Sequence, residues 1–229
     1  MNFKNKIFCA LDFSELDQTI RFTKKIKNHI GGIKIGLEFF CKNGPAGVER
    51  LKEFELPIFL DLKLHDIPNT VAKAFENLVN LSPDYLTVHL NGGRKMIKDL
   101  IKYKKKTKLI GVSMLTSLDR NDLKKTGVMC NEISYVEKLV KIGASSGIDG
   151  VVSSPREVKL LRKKFEKLII ATPGIRLPDD DQNDQKRTET PGNAIKNGSS
   201  LLIIGRTITK SINPISSIKK IIQNIENAI

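Results

Sequence analysis

Phe59-Leu60-Asp61-Leu62-Lys63-Leu64-His65-Asp66-Ile67-Pro68-Asn69-Thr70 places two carboxylates and an ammonium within six residues, directly after the apolar run Leu56-Pro57-Ile58. Along a β-strand successive side chains alternate between faces, so Asp61 and Lys63 share one face while Leu60, Leu62 and Leu64 share the other. Leucines on one side require a hydrophobic layer there. The charged side must then face water or an enclosed polar space. An isolated D-x-K on a strand is most simply a surface ion pair. Here Asp66 follows just before Ile67-Pro68, where proline at a first helical position marks the start of a helix. Charges crowded at the end of a buried strand are costly to desolvate unless they pair, and such clusters mark functional sites.

The same short apolar runs recur along the chain. They predict strands over residues 6–11, 32–36, 57–61, 85–89, 109–113, 150–153, 168–172 and 201–205. Amphipathic segments at residues 16–28, 47–54, 71–81, 94–104, 134–145, 155–165 and 190–196 predict helices between them. A last helix over 214–228 carries Ile215, Ile218, Ile221, Ile222 and Ile225 at helical spacing. Eight βα units in 229 residues predict a single-domain (β/α)8 TIM barrel. A doubly wound open sheet is the rival. Its Gly-rich turn after the first strand is replaced here by Leu11-Asp12-Phe13-Ser14. No change of composition marks a domain boundary. The polar stretch 173–189 is long enough to serve as a lid over a site.

In a TIM barrel the chemistry gathers at the C-terminal ends of the strands. Taken in order, those ends supply Asp12, Lys34, Asp61 with Lys63, His89 with Asn91, Thr116, Ser153 with Ser154, Arg176, and Gly205-Arg206. Singly each has a modest reading: Asp12 could cap a helix, and Ser154 before Pro155 reads as an N-cap. Together they predict a polar pocket holding Lys34, Asp61, Lys63 and Asp66, with a guanidinium opposite. A glycine turn after strand eight and a following helix start suit an anion, and barrels of this class often bind phosphate there. Arg176, Gln185 and Arg187 would lie close by.

The net charge is +14, from 39 Lys and Arg against 25 Asp and Glu. Nucleic-acid binding therefore has to be weighed. The lysines are spread over the predicted helices, and the densest basic run, Lys102 to Lys108 with Tyr103, lies at a predicted helix end where cations suit the dipole, so this reading is set aside. A positive field also steers a phosphorylated small substrate inward. The three cysteines and three histidines are scattered without metal-ligand spacing, so neither a disulfide framework nor a zinc site is expected. No run reaches the roughly 18 apolar residues of a membrane helix, and the start of the chain does not read as a signal peptide. A cytoplasmic protein is expected, with no membrane partner.

The chain resembles the bacterial type of orotidine 5′-phosphate decarboxylase almost from end to end. The resemblance is carried by Ala10-Leu11-Asp12, Ile33-Lys34-Ile35-Gly36, the stretch from Phe59 to Thr70, Met114-Leu115-Thr116-Ser117, Thr172-Pro173-Gly174-Ile175-Arg176, Asp184-Gln185-Lys186-Arg187 and Ile204-Gly205-Arg206. The resemblance implies decarboxylation of orotidine 5′-phosphate to UMP without a metal or organic cofactor. It implies Lys63, Asp61, Asp66 and Lys34 as catalytic residues. It implies Asp12, Lys34, Asp61, Thr70, Thr116, Arg176, Gln185, Gly205 and Arg206 as substrate contacts, with residues 173–189 covering the phosphate. It also implies a homodimer in which Asp66 and Thr70 reach the partner's site. Related sugar-phosphate decarboxylases and aldolases share the D-x-K-x-x-D pattern but use Mg²⁺, commonly with a Glu at the end of strand two. This chain has Lys34 there, which cannot ligate a metal.

Overall fold

A computed structural model describes residues 2–178 and 188–229. Eight parallel strands close on themselves in sequence order, with the first pairing to the last. The strands are β1 (Ile7–Ala10), β2 (Gly32–Gly36), β3 (Ile58–Leu64), β4 (Tyr85–His89), β5 (Lys108–Val112), β6 (Gly150–Val152), β7 (Ile169–Thr172) and β8 (Leu201–Ile204). The helices are α1 (Leu16–Ile26), α2 (Leu37–Leu51), α3 (Pro68–Val79), α4 (Gly93–Ile101), α5 (Arg120–Lys125), α6 (Glu132–Ala144), α7 (Pro155–Lys164), α8 (Pro191–Lys196), α9 (Arg206–Thr209) and α10 (Pro214–Glu226). The predicted barrel is the observed one. No helix among the described residues is long and apolar enough to cross a membrane.

Strand alternation divides the apolar residues into two populations. Outward residues such as Leu60, Leu62, Leu86 and Val88 pack under the helices in one large cluster. Inward residues Phe8, Ala10, Phe59, Ile110, Ala171, Leu201 and Ile203 form a second cluster inside the barrel. Phe59 and Tyr85 stack with ring centroids 5.4 Å apart, and Phe8 meets Tyr85 edge-on at 5.6 Å. Gly32 makes this possible, because a Cβ there would stand 2.3 Å from the Phe8 ring. The aromatic rings fill the barrel interior, and Phe59, level with Lys34 on the neighbouring strand, also lines the cleft that holds the charged residues.

Three local readings are corrected. Strand β3 runs to Leu64, three residues past the expected end, so Lys63 lies within the strand. Helix α2 begins at Leu37 and crosses a break at Gly44 (φ 57°) before Pro45, where a helix from residue 47 was expected. Ser154 occupies the N-cap position of α7 but makes no side-chain cap; its hydroxyl donates to the buried Glu157 carboxylate instead.

Candidate active site

The C-terminal mouth of the barrel opens into a cleft of about 610 Å³. Asp12, Lys34, Asp61, Lys63, Thr116, Arg176, Gly205 and Arg206 all line it. These residues come from six different strand ends, so only closure of the barrel brings them together.

Four of them alternate in charge. Lys34 Nζ donates to Asp12 Oδ1 at 3.0 Å and lies 3.8 Å from Asp61 Oδ2. Lys63 Nζ donates to the same Asp61 Oδ2 at 2.7 Å. Lys34 is 9% exposed and Asp61 8%, so both charges are largely withdrawn from water. Burial pushes the Asp61 carboxyl up, but the Lys34 and Lys63 ammoniums outweigh it and hold the group below its usual range. Burial pulls the Lys34 ammonium down, and Asp61 and Asp12 more than compensate. Each buried charge is therefore tolerable only because of its neighbours; removing one partner of such a pair commonly costs about 3–5 kcal/mol. Gly36 adds a steric limit, since a Cβ there would stand 3.2 Å from Lys34 Nζ.

Asp66 departs from the predicted pocket. It is exposed, and its carboxylate accepts from the Ile67 amide at 2.6 Å. Among the described residues no ion pair joins it to Lys63, and neither Asp66 nor Thr70 lines the cleft. The chain leaves the strand after Leu64 and turns outward, which carries both to the rim beside Ile67, itself 66% exposed. Gln185 and Arg187 lie outside the described residues. The described residues on either side of that segment are joined: the Arg176 amide donates to the Glu189 carbonyl at 3.0 Å, and the Glu189 amide to the Gly174 carbonyl at 3.1 Å. Arg176 itself is 7% exposed.

Other contributors were not singled out from the sequence. Thr87 is fully buried beneath the cluster and donates to Asp61 Oδ1 at 3.0 Å. Alternation with Tyr85 and His89 on β4 could have placed it inward. Lys210 also lines the cleft, one helical turn beyond Arg206; i, i+4 spacing was its only signal. His89, one of the strand-end residues, lies against His65 with ring centroids 5.3 Å apart and the rings tilted by 38°. Burial, His65 and Lys63 hold its imidazole below the usual value, against an opposing pull from Asp61.

The sequence profile of the family described as "Orotidine 5'-phosphate decarboxylase / HUMPS family" matches residues 5–221. The chain is 44% identical over 209 residues to the orotidine 5′-phosphate decarboxylase of Sphingopyxis alaskensis, covering 91% of this chain and 93% of that one. It is 43% identical over 224 residues to the namesake from Wolbachia pipientis subsp. Culex pipiens, covering 96% and 99%. Among solved structures, the orotidine 5′-phosphate decarboxylase of Lactobacillus acidophilus superimposes with a TM-score of 0.82 at 32% identity, covering 96% of this chain and 98% of that one.

Proposed function

The chain belongs to the orotidine 5′-phosphate decarboxylase / HUMPS family, and we propose on that premise that it decarboxylates orotidine 5′-phosphate to UMP in pyrimidine biosynthesis. The observation that carries the reading is the alternating cluster Asp12, Lys34, Asp61, Lys63 at the mouth of a closed barrel.

In this reading the bond from C6 of the pyrimidine to its carboxylate breaks and CO2 leaves. The electron pair remains at C6, in an orbital the ring carbonyls do not delocalise. Lys63 carries a fixed positive charge to that place, held by Asp61 at 2.7 Å. It then gives a proton to C6, forming the C–H bond of UMP, and regains one from water. The Asp61 carboxylate stands where it crowds the departing carboxylate. Lys34 keeps Asp61 charged and, with Asp12, contacts the ribose. Thr116 meets the pyrimidine edge.

Arg176, Gly205 and Arg206, with Gln185, hold the phosphate, and residues 173–189 cover it. Binding energy gathered at the phosphate is thereby used to align C6 with Lys63. Two such chains form a homodimer, and Asp66 and Thr70 complete the partner's site; their exposed position on the rim is compatible with that role. The reaction takes place without a cofactor, because Lys34 puts an ammonium between two carboxylates where a metal-dependent relative would bind its cation.

The test is to follow the absorbance change of orotidine 5′-phosphate with purified protein, with and without excess EDTA. Equal turnover in both is expected. Absence of turnover, or turnover lost with EDTA and restored by Mg²⁺, would overturn the reading.

A further inference from the structure

We propose that Thr87 is a positioning residue whose single hydroxyl sets the geometry between Asp61 and Lys63. The inference rests on the decarboxylase reading and extends it to a residue outside the cleft.

The register between β3 and β4 changes across the charged stretch. Leu60 is level with Leu86 and Leu64 with Val88. Between these two points β3 has three residues, Asp61, Leu62 and Lys63, and β4 has only Thr87. The extra residues form a bulge, and bulges re-aim side chains at the cost of regular ladder bonds. Lys63 takes φ 50°, the left-handed region that a non-glycine residue rarely adopts. Such a conformation persists only where its surroundings over-determine it.

Thr87 supplies that constraint. The Lys63 amide donates to Thr87 Oγ1 at 2.8 Å, so the hydroxyl stands in for a missing backbone carbonyl. The same hydroxyl donates its own hydrogen to Asp61 Oδ1 at 3.0 Å. Asp61 Oδ2 in turn accepts from Lys63 Nζ. A closed ring results, running from the Lys63 amide through Thr87 and the Asp61 carboxylate to the Lys63 ammonium. Both ends of Lys63 are thereby referred to one oxygen atom. Only a group that accepts and donates at once can fill this place, which a hydroxyl does and a methyl does not. Threonine also has few χ1 choices, so the hydroxyl is held in place before substrate arrives. Thr87 is fully buried and does not line the cleft, so it acts only through its two neighbours.

Thr87→Val keeps the shape and deletes the hydroxyl, while Thr87→Ser keeps the hydroxyl. With orotidine 5′-phosphate as substrate, Thr87→Val is expected to lower kcat by about ten- to hundredfold, the usual effect of misplacing a reacting group by a fraction of an ångström to an ångström. UMP affinity, read by calorimetry, should change by less than about threefold, and Thr87→Ser should recover most of kcat. Where Thr87→Val does not fold, Thr87→Ala against Thr87→Ser makes the same comparison. A folded Val or Ala variant with kcat within twofold of the parent overturns the proposal, as does a Ser variant no faster than the variants lacking the hydroxyl. If the parent chain fails to decarboxylate orotidine 5′-phosphate, it is the functional reading that falls, so the two failures are told apart.

Discussion

Lys63 Nζ lies 2.7 Å from Asp61 Oδ2 although the two residues stand two apart on one strand and Lys63 has a left-handed backbone. On a regular strand, side chains at i and i+2 point the same way but are spaced by two rises of about 3.3 Å. Here the bulge folds the lysine back so that its ammonium meets the carboxylate. The contact is thus a product of backbone distortion as well as of charge attraction.

Lys63→Ala should lower kcat by at least about 10² to 10³, the common consequence of removing one group that stabilises developing charge. Asp61 keeps Lys34 and Thr87 as partners, so the fold should survive. Circular dichroism would show native secondary structure beside the lost turnover. A variant keeping more than about a tenth of the parent rate would remove Lys63 from the chemistry.

Arg206→Ala should reduce kcat/KM for orotidine 5′-phosphate by orders of magnitude, through loss of a charge-assisted contact in the cleft. The unphosphorylated nucleoside never makes that contact, so its slow turnover should hardly change. Parallel assays of both substrates decide the matter. Equal losses would show that Arg206 supports the barrel and does not bind phosphate.

Subunit complementation tests the shared site. Lys63→Ala and Asp66→Ala proteins should each be inactive. After mixing and exchange, a heterodimer would contain one site with both residues intact. Activity should reappear at up to one working site per heterodimer, half of the two sites of a twofold dimer. No recovery after exchange verified by mass spectrometry would place Asp66 in no partner site.

The His65–His89 pair predicts an acid-side weakness. The folded-state value of His89 lies below the ordinary 6.5, chiefly through burial. The unfolded chain therefore takes up its proton first as pH falls, and stability is lost from about pH 6.5 downward through the folded value. Denaturant titrations at pH 7.5 and pH 5 should show this loss in the parent and a smaller one in His89→Gln. Identical losses in the two proteins would show that His89 does not titrate in this way.

Much of the architecture is local in origin. Eight apolar runs at regular spacing imply eight strands, and alternation in Leu60-Asp61-Leu62-Lys63-Leu64 assigns leucines outward and charges inward before any strand is paired. Proline at the start of α3, α7, α8 and α10 marks where four helices begin. The charged residues at the ends of β1, β2, β3 and β8 could be collected from the same reading, because a closed parallel barrel presents all its strand ends at one mouth.

Periodicity carries the facing of a side chain but not the register between strands, and that is where sequence alone stopped. It could not show that β3 has two more residues than β4 between their paired positions, nor that Lys63 turns left-handed there. It grouped Asp66 with Lys63 because they are three apart in the chain. The tertiary structure separates them, because the strand ends at Leu64 and the backbone turns away. Thr87 reads as an ordinary β-branched strand residue, and its hydroxyl acquires a role only opposite the bulge. Composition and alternation settled which residues can be buried together. The pairing of distant strands settled which atoms touch, because that depends on long-range packing that no local window contains.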